Sequence, residues 1–151
     1  MATNIYYETD RAKVYFDEDL NTLFLVYKNR VGGTERFIEI NEAMLKAFRN
    51  LDTQVMVVDA RHMGVISIDS QNYVKDTLLP AMQKHLDGKT FYHAQLINPS
   101  DIFSKIAANK IKNGAEENIQ ENFVMKQFTE MEDIHSWIRS LTKKPVISIL
   151  D

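Results

Sequence analysis

The chain has 151 residues, the usual size of one domain, and its 44% hydrophobic and 26% charged residues are typical of a folded globular protein. This composition excludes a disordered or low-complexity chain. The net charge of −3 gives no basic field for nucleic acid, and the absence of cysteine excludes a disulfide, a cysteine-bound zinc ion and a thiol nucleophile.

Membrane and export signals are missing from the sequence. No stretch approaches the roughly 18–20 consecutive apolar residues that a membrane-spanning helix needs. The first residues, MATNIYYETDR, lack the apolar core of a signal peptide. We therefore expect a cytoplasmic protein without a membrane span.

The first third of the chain predicts β structure. Residues 5–8 form a short aromatic run, and two runs rich in β-branched and aromatic residues follow at 12–17 and 22–28. The polar connector DEDLN at 17–21 has the length of a hairpin loop. We predict an antiparallel hairpin, whose second strand is apolar on both faces and therefore central in a sheet.

The period of the apolar residues then changes. From Thr34 to Leu51 they recur at spacings of three and four, which predicts an amphipathic helix with Thr34 as its N-cap. The run QVMVVD at 54–59 is short and almost wholly apolar, as in a buried parallel strand. A loop over 60–66 follows it.

A second helix is predicted over 67–86. Pro80 lies inside it and removes one backbone donor, so we expect a kink or a break there. Gly88 suits the left-handed position that ends many helices. The run FYHAQLI at 91–97 predicts a third strand of the buried type.

The last third repeats the alternation of strand and helix. Residues 98–101, NPSD, have the composition of a helix start, and a strand is predicted over 122–128. The last helix begins with a capping box over 129–132. Its apolar stripe consists of Ile134, Trp137, Ile138 and Leu141. The run VISIL at 146–150 predicts one more edge strand.

Strands that alternate with helices imply a mostly parallel sheet with right-handed crossovers. The predicted fold is a mixed, mostly parallel α/β sheet with an N-terminal antiparallel hairpin and about four helices packed on it. We expect a single domain over 1–144 and a tail over 145–151. An exposed apolar edge strand in that tail would invite pairing with a second chain, so we expect a homodimer.

Sequence motifs for catalysis are absent. The Gly-Gly pair at 32–33 fits neither the dinucleotide fingerprint nor a P-loop, and no serine lies in a G-x-S-x-G context. The spacing of His62, His85, His93 and His135 is not that of metal ligands, and we expect the last three to be surface or partly hydrogen-bonded groups. We therefore expect no enzyme activity, no cofactor and no metal.

The most informative polar segment, DARHM, directly follows the buried strand that ends at Asp59. Ligands of open α/β sheets bind at the carboxyl ends of parallel strands, so Asp59, Arg61 and His62 are candidates to bind a polar ligand or a protein partner. Ser67 and Ser70 lie at the start of the next helix, where capping is the ordinary role. The alternative is a solvated loop with a surface ion pair between Asp59 and Arg61.

Three segments are typical of a known family: VMVVDARHM at 55–63, SIDSQNYVKDTLLP at 67–80 and FVMKQFTEMEDIHSWI at 123–138. With the order of the elements, they resemble the SpoIIAA-like branch of the STAS superfamily, also described as STAS/SEC14-like. The resemblance spans residues 5–141. It implies a small cytoplasmic α/β domain without catalysis.

The same resemblance suggests two kinds of partner. Bacterial anti-sigma-factor antagonists of this family bind a kinase and are switched by phosphorylation in an Asp-Ser-Ser-Gly motif. The matching residues are Asp69-Ser70-Gln71-Asn72, so Gln71 replaces the phosphorylated serine and the switch does not carry over. Relatives of the SEC14 type bind lipids, which implies an apolar cavity.

Our preferred hypothesis is a non-enzymatic regulatory or protein-interaction module, whose surface is the loop 59–66 and the start of the helix at Ser67. The alternative is a carrier or sensor for a small apolar or lipid-like ligand, which the seven methionines and the aromatic content favour. Nucleic acid is not an expected partner of either.

Overall fold

One sheet organises the molecule. The structure is a computed structural model that describes residues 3–98 and 122–150. Six strands lie side by side in chain order: β1 (Thr3–Glu8), β2 (Ala12–Asp17), β3 (Thr22–Tyr27), β4 (Val55–Asp59), β5 (Phe91–Leu96) and β6 (Phe123–Phe128). β1, β2 and β3 are antiparallel neighbours, whereas β3 to β6 run parallel. The predicted mixed, mostly parallel α/β sheet is confirmed.

The three N-terminal strands form an antiparallel meander. β2 and β3 pair in continuous register, starting with Ala12 opposite Tyr27, and this confirms the predicted hairpin. The aromatic run at 5–8 belongs to a further strand, β1, which pairs with β2 and shifts register between Ile5 and Tyr7. β1 is therefore the strand at one edge of the sheet.

β4 lies in the parallel part of the sheet, between β3 and β5. All five of its residues are buried, so the expectation of a buried parallel strand at 54–59 is confirmed. Its side chains alternate between the two faces of the sheet. Met56 and Val58 belong to the apolar cluster on one face, called the first face, and Val57 belongs to the cluster on the opposite face.

The first face is covered by two crossover connections. α1 (Thr34–Arg49) joins β3 to β4, whereas α2 (Ile68–Tyr73), a π-helical segment (Val74–Leu78) and α3 (Leu79–Leu86) join β4 to β5. α1, the π-helical segment and α3 contribute buried apolar residues to one cluster with the sheet, and α2 adds the partly buried Tyr73. Right-handed crossovers in a sheet of sequential strand order place both connections on the same face.

The second crossover is helical without interruption from Ile68 to Leu86, and the disturbance expected at Pro80 takes the form of a π-helical segment before it. Pro80 has no N–H to donate to the carbonyl of Asp76, four residues earlier, and the π-helical segment ends just before it. After α3 the chain turns through two residues of positive φ, Asp87 at 50° and Gly88 at 90°. The left-handed conformation that ends the helix therefore begins at Asp87, one residue before the predicted position at Gly88.

The start of α1 differs from the prediction. Gly33 holds the cap position without a side-chain hydrogen bond, and Thr34 is the first helical residue. The prediction that Thr34 caps the helix is wrong, because its hydroxyl lies 2.6 Å from the hydroxyl of Ser67 and bonds there instead.

α4 (Met131–Leu150) covers the opposite face of the sheet. It begins within the predicted capping box at 129–132, two residues after its first position. The predicted apolar stripe is confirmed, with two buried and two partly buried members: Ile134, Ile138, Trp137 and Leu141.

The prediction of an edge strand at 146–150 is wrong, because α4 continues through these residues. Extending an existing helix fixes one residue for each hydrogen bond gained, whereas a new strand would have to find a pairing partner. The expected homodimer rested on that strand and loses its structural basis. The helix predicted to start at 98–101 lies beyond the described residues from position 99 onward.

Candidate functional site

Residues 60–67 connect the carboxyl end of β4 to α2. The Val31 N–H donates to the carbonyl of Met63 at 3.3 Å, which ties this segment to the connection between β3 and α1. Gly64 has a φ of +77°, and a Cβ atom there would lie 3.3 Å from Cγ of Arg30. Glycine therefore suits this close approach of two connections.

Asp59 ends β4 with a buried carboxylate, since the residue is only 3% exposed. Arg61 Nε donates to Oδ1 at 3.0 Å, Nη2 donates to Oδ2 at 2.8 Å, and the Arg61 backbone N–H donates to Oδ1 at 3.2 Å. The bonds to the carboxylate raise the pKa of Arg61. The two charges neutralise each other in a bidentate pair, as the alternative interpretation expected, but one member of the pair is buried.

Ser67 and Ser70 hold the start of α2. Ser67 is the N-cap, and its Oγ accepts from the Ser70 N–H at 3.0 Å and donates to the Ser70 Oγ at 3.0 Å. Its hydroxyl also bonds to Thr34, so that it joins the first turns of α1 and α2. The expected capping role of Ser67 is confirmed, and Ser70 is buried behind it.

The five predicted site residues thus form two separate pairs and one exposed side chain. Asp59 bonds to Arg61, Ser67 bonds to Ser70, and His62 is exposed outside both pairs. Within residues 3–98 and 122–150, no three His, Asp or Glu side chains are grouped so that they could hold a metal ion. None of the helices in these ranges has the length and apolarity needed to cross a bilayer.

A cavity of about 40 Å³ lies beneath the segment, between the sheet and the helices of the first face. Ala60, Met63 and Ile66 of the segment line it, and none of its lining residues is charged. Four lining side chains bear polar groups: Tyr27, Asn41, His93 and Gln95. Pockets for drug-sized ligands begin at about 300 Å³, so a lipid-like ligand does not fit into this cavity.

Tyr27 and Asn41 are hydrogen-bonded to each other. Asn41 Nδ2 donates to Tyr27 Oη at 2.9 Å and to the carbonyl of Phe37 at 2.9 Å. Burial raises the pKa of Tyr27, so its hydroxyl stays neutral. This pair forms a hydrogen-bonded part of the cavity wall.

His93 and Gln95 are neighbours on one face of β5 and are 3% and 7% exposed. Neither ring nitrogen of His93 has a hydrogen-bond partner, and the same is true of Oε1 of Gln95. The imidazole packs against Phe91 and Phe123, with ring centroids 5.9 Å and 6.5 Å away. Burial lowers the pKa of His93 to about 4, so the ring is neutral near pH 7.

Sequence reasoning missed these two residues. We expected His93 to be a surface or partly hydrogen-bonded histidine, and this expectation is wrong because the side chain is buried without a partner. A signal was present in the sequence, since alternation along a strand places His93 and Gln95 on the same face. Unpartnered polar groups in a buried strand cost free energy and so mark a candidate site.

Comparisons with protein-family models, with curated proteins and with solved structures found no match for this chain. The resemblance to the SpoIIAA-like branch of the STAS superfamily stays a prediction from the sequence.

Proposed function

We propose that the chain is a non-enzymatic, STAS-like protein-interaction module with a regulatory role in the cytoplasm. Its contact surface is formed by His62, Val65, Ser67 and Ile68 on the outer side of the segment after β4, called the 62–68 surface below. The main support is the exposure of two apolar side chains. Val65 is 62% exposed and Ile68 is 70% exposed, the highest values among the large apolar residues of 4–98 and 122–141, the ranges whose side chains the structure describes.

The composition of the 62–68 surface supports binding to another protein. Exposed apolar groups with polar neighbours are typical of interfaces, and here the exposed His62, Ser67 and Asp69 lie near Val65 and Ile68 along the chain. Removing these two aliphatic side chains from water favours association. The partner we infer is therefore a protein surface with an apolar pocket.

The surface is also held in one conformation from inside the fold. Met63 and Ile66 alternate with its members and are buried in the core cluster. Hydrogen bonds fix both ends of the segment, at Arg61 and at Ser67. A preformed surface loses less conformational entropy on binding. An interaction role gains further support because the nearby carboxylate and hydroxyls are already engaged in bonds within the fold.

Photo-cross-linking in the cell tests this proposal. The full chain carries p-benzoylphenylalanine at position 65, at position 68 or, as a matched control, at position 5, where Ile5 is 55% exposed on β1. We expect positions 65 and 68 to capture the same protein and position 5 not to capture it. When the chain carries the photo-cross-linker at position 65, the additional substitution Ile68→Asp should abolish the capture of that protein without changing the melting temperature.

Equal cross-linking from all three positions, or none from positions 65 and 68, would refute the proposal. His62→Ala is a suitable milder variant, because His62 lies outside both hydrogen-bonded pairs. Arg61 is unsuitable, because its replacement also leaves the buried carboxylate of Asp59 without its partner. Lost binding in an Arg61 variant could therefore reflect lost stability.

A further inference from the structure

We propose that the cavity beneath residues 60–66 binds a small neutral molecule that has both a hydrogen-bond donor and an acceptor, such as an amide or an azole, between His93 and Gln95. This site lies inside the fold, and none of its lining residues belongs to the 62–68 surface. It goes beyond the interaction role, because it gives the chain a ligand of its own.

The unpartnered atoms are the first step of this inference. A buried donor or acceptor that has given up water without gaining a partner costs folding free energy. His93 and Gln95 leave three such atoms on one face of β5: Nδ1 and Nε2 of the imidazole and Oε1 of the amide. Apolar residues of the same size would avoid this cost. A bound molecule that bonds to these atoms would remove it.

The neighbouring strand offers a rival partner for one of the three atoms. Gln127 is opposite Gln95 in the register of β5 and β6, and its Nε2 is also without a partner. Gln127 does not line the cavity, however, whereas Gln95 and His93 do. A hydrogen bond between the side-chain amides of Gln127 and Gln95 would leave both nitrogens of His93 unpartnered.

The chemistry of the lining selects the class of ligand. An ionic ligand would find no charged side chain among the lining residues, so its charge would be buried without compensation. A neutral imidazole donates from one nitrogen and accepts at the other, whereas Oε1 only accepts. The ligand must therefore both donate and accept, as an amide or an azole does.

The size of the cavity sets an upper limit on this ligand. A buried water molecule needs about 10–15 Å³ of cavity, so the 40 Å³ present hold roughly three waters. Three waters occupy about 90 Å³ of liquid volume. A single small ring or a short-chain amide matches that space, and the apolar walls favour it over water.

Pyrazole is a suitable probe because it is neutral, planar and both donates and accepts. Its binding is measured by NMR titration of the full chain, through the resonances of cavity residues such as Val58 and Met63. We expect pyrazole to shift these resonances and to raise the melting temperature. 1-Methylpyrazole, which cannot donate, should bind about tenfold more weakly, because one buried hydrogen bond is lost.

Three variants locate the site. His93→Leu and Gln95→Met remove the unpartnered atoms, so each should melt at or above the wild-type temperature without probe and bind pyrazole about tenfold more weakly. Gln127→Met is the matched control, since it removes the neighbouring amide outside the cavity, and its affinity for pyrazole should equal that of the wild type.

Several results would overturn the proposal. One is the absence of any shift at the cavity, which would mean that it holds water only. Another is equal pyrazole affinity in all four proteins. A loss of affinity in Gln127→Met as large as that in Gln95→Met would mean that Oε1 of Gln95 is hydrogen-bonded to the side-chain amide of Gln127. Unfolding of both His93→Leu and Gln95→Met would mean that the two polar groups already have partners in the native fold.

Discussion

Acidification is expected to destabilise the fold through His93. In the unfolded chain its imidazole has the ordinary pKa of 6.5, whereas burial lowers the pKa to about 4 in the folded state. Between these two values the unfolded state binds a proton that the folded state does not bind. The free energy of unfolding therefore falls as the pH decreases from 6.5 towards 4, and the stability is fully present only above 6.5.

The size of this effect follows from the two pKa values. Going from about pH 8 to about pH 5, the single titration removes roughly 2 kcal/mol of the free energy of unfolding. The whole shift corresponds to about 3 kcal/mol, which is reached only below the folded pKa. His93 is 3% exposed, so solvent screening does not reduce these values appreciably. In a chain of this length, 2 kcal/mol lowers the melting temperature by roughly 4–8 °C.

Urea unfolding at a series of pH values measures this contribution. Carboxylates also titrate in this range, so the quantity of interest is the difference in pH dependence between the wild type and His93→Leu. We expect the variant to lose about 2 kcal/mol less on acidification to about pH 5. His62→Leu is the control, because His62 is exposed, and it should follow the wild type. Parallel pH profiles for wild type and His93→Leu would refute the reasoning.

Three further changes test other contacts by urea or thermal unfolding. Arg61→Leu should lower the free energy of unfolding by about 1–3 kcal/mol, because the buried carboxylate of Asp59 loses two side-chain hydrogen bonds. Water can enter from the exposed side of the pair, and an unchanged unfolding midpoint would mean that it replaces the guanidinium fully. Ser67→Ala should cost about 1 kcal/mol through the lost N-cap, and Ser67→Asp, which can also cap, should recover part of it. Asn41→Leu should cost about 1–3 kcal/mol because the buried hydroxyl of Tyr27 loses its donor, and the double change with Tyr27→Phe should cost less than the two single changes together.

The elements that could be predicted from the sequence are those in which local pattern and tertiary position agree. The hairpin of 12–17 and 22–28 is rich in residues that suit a pleated surface, and its connector has hairpin length. The run at 54–59 is apolar on both faces, and it becomes a strand covered on both faces. The departure from α-helical hydrogen bonding before Pro80 follows from one missing N–H, so its prediction needs no knowledge of distant contacts.

Two of the three failures occur where a distant contact decides, and the third occurs where the extension of a helix overrides β-propensity. Residues 146–150 have high β-propensity, yet they continue the helix that starts at Met131. Thr34 has the side chain of an N-cap, but Ser67, 33 residues away, takes its hydrogen bond. The environment of His93 depends on helices and a strand that only the folded sheet brings around it, so spacing along the chain could not reveal its two unpartnered nitrogens.

The segment after β4 belongs to both proposed sites, which has a thermodynamic consequence. Met63 and Ile66 line the cavity from above, while Val65 and Ile68 are exposed on the 62–68 surface. A molecule in the cavity contacts Met63 and Ile66, so it changes the free energy of any conformation of the segment in which these two side chains move. A protein partner acts on the same few residues from outside. Linkage requires that each binding event change the affinity of the other by the same factor. This factor differs from one only if the segment changes conformation or mobility among the free, ligand-bound, partner-bound and doubly bound states. Hydrogen bonds hold the segment at Arg61, at the Met63 carbonyl and at Ser67, so we expect any such change between Met63 and Ser67.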